Sequence, residues 1–257
     1  MMKFKWMMLF FMTALLGISA CSSDDGDVTE KKDGSGVVVG RKKLVKLVRT
    51  SGEGTKYAKA YVTKFTYDNE GHLVKTTGNY SSTIVWEQGR IVQTKDSQRT
   101  YVLELANNLV DSCYVQELNG GYSSYFSYSS SSQLLSSSLS YTSNIKTFEW
   151  SQGKMVGIDW GCDGTYSCSY SGKTCNGYNP LMVLNADFDV EHVALAHPEL
   201  FGLSTTQLYD KMESDDGTAT YYYSYEFDGD GYVTKATETY THINGEKSTS
   251  TYTFTWE

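Results

Sequence analysis

The sequence predicts an all-β protein: a large antiparallel β-meander of about 14 strands, curled into a barrel-like or strongly coiled sheet, with a short helical insertion. Three observations carry this reading. The composition favours strands, with 21 Tyr and 23 Gly but only 2 Pro; tyrosine and threonine suit a pleated, half-buried surface. Short segments also repeat one pattern: alternating aromatic or aliphatic residues, a polar or glycine turn, then alternation again. Finally, the alternation separates one apolar face from one wet face.

The repeated segments are FTYDNEGHLV (65–74), IVWEQGRIV (84–92), VLELANNLV (102–110), YFSYSSSSQLL (125–135), FEWSQGKMV (148–156), CSYSGKTC (168–175) and YEFDGDGYV (225–233), and TFTWE closes the chain. Their anchors Tyr67, Trp86, Leu105, Tyr128, Trp150 and Tyr170 are spaced by 19, 19, 23, 22 and 20 residues. A period of this length holds two strands and two short turns. One hairpin cannot bury its apolar face alone, so the units extend one continuous sheet. Along 61–67, Tyr61, Phe65 and Tyr67 share a face, while Lys64, Thr66 and Asp68 point away. A sheet this wide curls rather than staying flat.

Residues 179–214 interrupt the meander. They hold Pro180 and Pro198 and lack period-two alternation. A short helix is expected over 189–196. Ser204-Thr-Thr-Gln207 has capping-box spacing ahead of Leu208 and Met212, which stand i, i+4 on one helical face.

The N-terminus reads as an address. Lys3 and Lys5 precede an apolar run from Trp6 to Ile18, too short to span a bilayer as a helix. Ile18-Ser19-Ala20-Cys21 then has the form of a lipobox, so residues 1–20 are expected to be a signal peptide and Cys21 a lipidated cysteine. Residues 21–40, polar and glycine-containing, form a flexible tether. The acidic run after Cys21 resembles the surface-export signal of Bacteroidota lipoproteins, against the plainer reading of a solvated linker. Loss of residues 1–20 leaves 20 basic against 30 acidic side chains, a net charge of −10. With no basic run of five or more, nucleic acid is excluded as an expected partner. The 41–257 remainder suits a single β-meander domain.

Lipobox, acidic tether, YDxxGxL-type hairpins, HPELFGL (197–203) and the closing YEFDGDGYVTK…YTFTWE together resemble an uncharacterised family of Bacteroidota lipoproteins, known as a domain of unknown function with a porin-like fold. The hairpins are also similar to the YD repeats of Rhs-type wall proteins, though less regular. The resemblance implies a fold and an envelope address but no catalytic residues.

The chemical constellations weigh as follows. Asp228-Gly-Asp230-Gly231 opens like an EF-hand loop, but either frame puts a threonine (Thr239 or Thr237) where a bidentate glutamate is required. Asp68-Asn-Glu-Gly71 lacks the glutamate too, so both read as turns; a looser calcium site from adjacent loops stays open. Four cysteines remain after Cys21. The candidate disulfides are Cys168–Cys175, facing each other if Ser171-Gly172 is a two-residue turn, and Cys113–Cys162; buried free thiols are the alternative. His72, His192, His197 and His242 form no metalloprotease spacing, and no nucleophile motif is present. Glu149, Asp159 and Asp163 are the carboxylates a glycosidase pair would draw on. Trp86, Trp150, Trp160 and Trp256 are candidate ligand-stacking aromatics, with cross-strand packing as the competing role. No cofactor or metal is expected.

These observations favour a non-enzymatic envelope lipoprotein anchored at the outer membrane, on the cell surface or else facing the periplasm, acting as a binding or structural module with a glycan or an envelope protein as partner. The alternatives are a barrel-type carrier of an apolar small molecule and a polysaccharide hydrolase. An integral outer-membrane barrel is disfavoured because Lys64, Lys75, Glu149 and Lys235 occupy the polar face, where a lipid belt needs apolar residues.

Overall fold

The computed structural model describes residues 41–52, 58–79, 81–95, 99–143 and 145–257. The expected signal peptide, Cys21 and the tether lie outside the described residues. Sixteen strands follow one another: β1 (Leu44–Ser51), β2 (Lys59–Tyr67), β3 (Leu73–Gly78), β4 (Ser82–Glu87), β5 (Arg90–Lys95), β6 (Arg99–Ala106), β7 (Leu109–Glu117), β8 (Gly120–Tyr128), β9 (Leu134–Leu139), β10 (Ile145–Ser151), β11 (Lys154–Asp159), β12 (Thr165–Ser169), β13 (Lys211–Ser214), β14 (Ala219–Phe227), β15 (Val233–His242) and β16 (Lys247–Trp256). Each pairs antiparallel with its chain neighbours, and β1 pairs with both β2 and β16, so the meander closes into a barrel. Closure removes the sheet edges on which open sheets aggregate.

The period-two pattern decides what faces inward. In β4, Ser82 and Ile84 are buried while Thr83 and Val85 are exposed; in β2, Thr63 and Phe65 are buried while Lys64 and Thr66 are exposed. The outer wall accordingly carries Lys64, Lys75, Arg90 and Glu149 as exposed residues. Apolar side chains such as Val85, Tyr125 and Tyr222 are exposed beside them.

The hairpins foreseen at 65–74, 84–92, 102–110, 125–135, 148–156 and 225–233 all lie at one end of the barrel, and five of the six use two turn designs; in the sixth, Gln88-Gly89, only Gly89 has a positive φ. Two-residue turns place Asn107 and Asn108, or Gln152 and Gly153, in the left-handed region, with φ from 50 to 75°. That is the backbone twist a tight hairpin demands. Five-residue turns run Asp68–His72, Ser129–Gln133 and Asp228–Tyr232. In each, the first residue's N–H donates to the fifth residue's carbonyl. Its side-chain oxygen accepts the fifth residue's N–H, at 2.9 Å for Asp68, 3.1 Å for Ser129 and 2.9 Å for Asp228. The crowded acids of these turns are therefore backbone caps. The Asp68, Glu70 and His72 ligand atoms lie within 4.8 Å of one another, yet Asp68 Oδ1 already accepts the N–H groups of Glu70 and His72.

The same end is ringed by a repeated latch. The aromatic ending an even-numbered strand donates to a carbonyl at the start of the preceding odd one: Tyr67 to Leu44, Trp86 to Leu73, Tyr128 to Val110, Trp150 to Leu134, Tyr170 to Met155, Tyr225 to Tyr209 and Trp256 to Val233, at 2.6–2.9 Å. Continuing the strand registers places each acceptor opposite the residue before its aromatic. Only β6 ends differently, with Leu105, which has no hydrogen to give.

Between β12 and β13 the chain leaves the wall and fills the lumen. Helix α1 (Pro180–Ala186) is capped by Asn179, whose side chain accepts from Leu181 N and Met182 N, with Pro180 at the first helical position. Helix α2 (Glu191–Ala196) returns and leads into a 3₁₀ turn at Pro198–Phe201. Leu181, Val183, Val193, Leu195, Leu200 and Phe201 are all buried, in one cluster with inward wall residues such as Leu73, Leu103 and Leu134. A sixteen-stranded barrel otherwise encloses a water-filled channel; here the apolar insert occupies it. Its fit is close: a Cβ on Gly202 (φ +64°) would collide with the Ser132 carbonyl oxygen and Leu134 N.

Four expectations change. There are sixteen strands rather than about 14, and Met212, assigned to a helix, lies in β13. The 204–208 segment forms no helix: Thr205 Oγ1 instead donates to the Gly153 carbonyl at the latch end. CSYSGKTC is not a hairpin, because β12 stops at Ser169 and Thr174 bridges to Gln207. Cys168 and Cys175 therefore never face each other across a turn and both are free thiols; Cys113 is a buried free thiol too, so neither candidate disulfide is made.

Candidate functional site

The two barrel ends differ. At the latch end, residues 196–209 of the insert press against the hairpins: His197 Nε2 accepts from Leu73 N at 3.1 Å, His197 Nδ1 lies 3.2 Å from Glu199 Oε1, and the His197 ring stands edge-on to Trp86 and Tyr67. The cavity there measures only about 40 Å³. Arg41–Lys43 enter at this same end, with Lys42 Nζ 3.0 Å from Asp228 and Lys43 N bonded to the Glu257 carbonyl.

At the opposite end the α1–α2 turn, Asp187–Val190, stands inside an open mouth. It is held by wall residues on several sides. Lys146 Nζ donates to Asp187 at 2.8 Å, Tyr122 Oη to Asp189 at 2.8 Å and Trp160 Nε1 to the Asn185 carbonyl at 3.1 Å. Asn185 Nδ2 in turn donates to the hydroxyls of Tyr209 and Tyr223. Phe188 packs edge-on against Phe126 and stacks on Phe201.

Among the described residues, three adjoining cavities surround this turn. One of about 470 Å³ opens between β1–β5 and the start of α2; one of about 200 Å³ lies against β7–β10; one of about 240 Å³ lies against Trp160, Tyr221 and Tyr252. Neighbours share walls, Phe188 and Asp189 between the first two and Arg49 between the first and third. The lining is polar and of both signs: Arg49, Lys95 and Lys146 against Asp187, Asp189, Glu191 and Glu238.

Burial tunes the charged groups here. It pushes the Glu191 and Glu238 carboxyls above the ordinary glutamate range, with Arg49 pulling both back down. Burial, then the Lys95 charge, lowers His192 to about 4, so its imidazole is neutral at pH 7. Desolvation raises the Cys113 thiol to about 12, which leaves it unreactive. The mouth therefore presents hydrogen-bonding groups and aromatic edges, with no thiolate nucleophile at Cys113.

The sequence candidates divide between the two ends. Trp86, Trp150 and Trp256 commit their ring nitrogens to latches, and Trp86 stacks on His72 at 4.3 Å between centroids. Trp160 alone of the four lines a mouth cavity. Glu149 is exposed on the outer wall, and Asp159 Oδ1 accepts from Gly161 N. Sequence reasoning missed Arg49, Gln93 and Lys95, which line the cavity of about 470 Å³ and whose only signal was polarity at inward-facing positions, and it read Tyr61 beside them only as part of an apolar face.

No family model matches the chain, and no curated protein matches it. Among solved structures it is similar to a porin-like protein from Bacteroides uniformis, at 16% identity and a TM-score of 0.66, over 83% of this chain and 98% of that one. It is also similar to a porin-like protein from Bacteroides vulgatus, at 14% identity and a TM-score of 0.54, over 84% of this chain and 99% of that one. At these identities the likeness is one of fold.

Proposed function

We propose that the protein is a non-enzymatic binding barrel, tethered through a lipidated Cys21 to the outer membrane and displayed at the cell surface, with its open mouth as the ligand site. The observation that carries this reading is the asymmetry of the barrel: a latched end filled by the insert, and an opposite end holding, among the described residues, three adjoining polar cavities. The porin-like character of the two Bacteroides structures supports an envelope setting. Arg41–Lys43 meet the barrel at the latched end. The outer wall argues against a bilayer-spanning barrel, since a lipid-facing Lys or Arg costs about 2–4 kcal/mol at the midplane.

The polar lining suits a glycan better than an apolar cargo, because the enclosed apolar volume is already occupied by α1 and α2. Binding of the purified full chain to a polysaccharide panel tests this. Binding lost in Trp160→Ala supports the mouth; binding unaffected by any mouth substitution removes it. Hydrolysis is the second reading, and Glu191 and Glu238 are the mouth carboxyls it would draw on. Release of reducing ends from a bound polysaccharide would establish it, and none is expected.

A further inference from the structure

The largest mouth cavity contains an unmet chemical demand. Gln93 on β5 is 2% exposed and lines it. Its amide nitrogen donates to Ser82 Oγ at 3.2 Å, and that hydroxyl is shared with Thr76 Oγ1 at 2.7 Å. The carboxamide oxygen accepts no hydrogen bond among the described residues. Turning the amide over does not help, because Ser82 reaches one end of it and leaves the other unpaired. A buried polar group in that state is a site with its partner missing.

The surroundings limit what the partner is. Arg49 and Lys95 supply positive charge and Asp189 and Glu191 negative charge around the same space, so neither a cation nor an anion is matched overall. A hydroxyl group both donates and accepts, and it satisfies an amide oxygen without adding charge. Tyr61, half-buried on β2, offers an aromatic surface, and Phe188 and Leu47 an apolar floor. A volume of about 470 Å³ falls within the roughly 300–1,000 Å³ of small-molecule sites.

We infer that this cavity, between the inner wall of β1–β5 and the start of α2, binds one ring of a neutral, hydroxyl-rich saccharide, with Gln93 accepting a ring hydroxyl and Tyr61 against the sugar's face. The inference rests on the mouth being a ligand site and names which cavity acts and on what chemistry. It is tested by saturation-transfer NMR and titration calorimetry on the detergent-solubilised full chain. The probes are glucose, galactose and N-acetylglucosamine, with glucuronate and glucosamine as charged comparators. At least one neutral sugar binds, and Gln93→Leu and Tyr61→Ala each weaken it tenfold or more while the melting temperature shows the barrel intact. Neutral-sugar binding that survives both substitutions but is lost in Trp160→Ala overturns the assignment and leaves the mouth reading standing. Binding of the charged sugars alone does the same. Binding of none of the five overturns this inference, and failure of the wider polysaccharide panel as well removes the mouth reading.

Discussion

The Trp150 indole nitrogen donates to the Leu134 carbonyl at 2.6 Å, tying the end of β10 to the start of β9. The same relation recurs around the rim, so the aromatic period in the sequence is the period of a structural latch. Trp150→Phe keeps most of the burial and removes the donor, and is expected to cost about 1 kcal/mol. Trp150→Ala adds a cavity, for about 3–5 kcal/mol. Denaturant unfolding separates them; equal losses would mean that packing alone matters. Leu105→Tyr, which completes the ring, is expected to raise stability by a few tenths to about 1 kcal/mol.

Gly202 seats the insert against the β8–β9 turn. Gly202→Ala meets both a left-handed φ of +64° and backbone atoms of Ser132 and Leu134. A loss above about 2 kcal/mol is expected. A melting temperature equal to that of the parent would show that the insert is not held there.

His197 is 2% exposed and its Nε2 accepts the Leu73 N–H. His197→Ala orphans that donor and opens a cavity, so a loss of about 2–4 kcal/mol is expected. Amide exchange at Leu73 accelerates in the variant if the contact is real, and stays slow if another acceptor takes over.

His192 sets a pH dependence. Its folded pKa of about 4 lies below its ordinary value of 6.5. The unfolded chain is then the stronger proton binder, so this stability is complete above pH 6.5 and is lost as pH falls towards 4. The contribution is at most about 3 kcal/mol. Glu191 works in the opposite sense: its raised carboxyl favours the fold at low pH, an advantage lost as pH rises above the ordinary glutamate value. His192→Gln should therefore flatten the stability profile between pH 4 and 6.5. An unchanged profile would place the acid sensitivity elsewhere.

The sequence showed the wall better than the mouth. The spacing from Tyr67 to Tyr170 marks even-numbered strand ends, because all of them but β6, which ends in Leu105, supply an aromatic to the same rim position. The helix at Pro180–Ala186 carried no expectation of its own, whereas Leu208 and Met212 imitated helical spacing although Met212 lies in β13. A four-residue strand is too short for alternation to outweigh such a coincidence. Cys168 and Cys175 misled because the turn assumed between them is where the chain departs for the lumen. Gln93 and Arg49 stand on β5 and β1 and line one cavity only because the wall curves into a barrel, which no local pattern encodes.

The proposed lipoprotein is a water-facing barrel held to the membrane by its N-terminus. Detergent phase partitioning of the native protein against a form whose residues 1–21 are exchanged for a secretory signal tests it most directly. The native chain is expected in the detergent phase and the exchanged form, folded, in the aqueous phase. Retention of the folded, exchanged form in detergent would mean that the barrel wall itself sits in lipid.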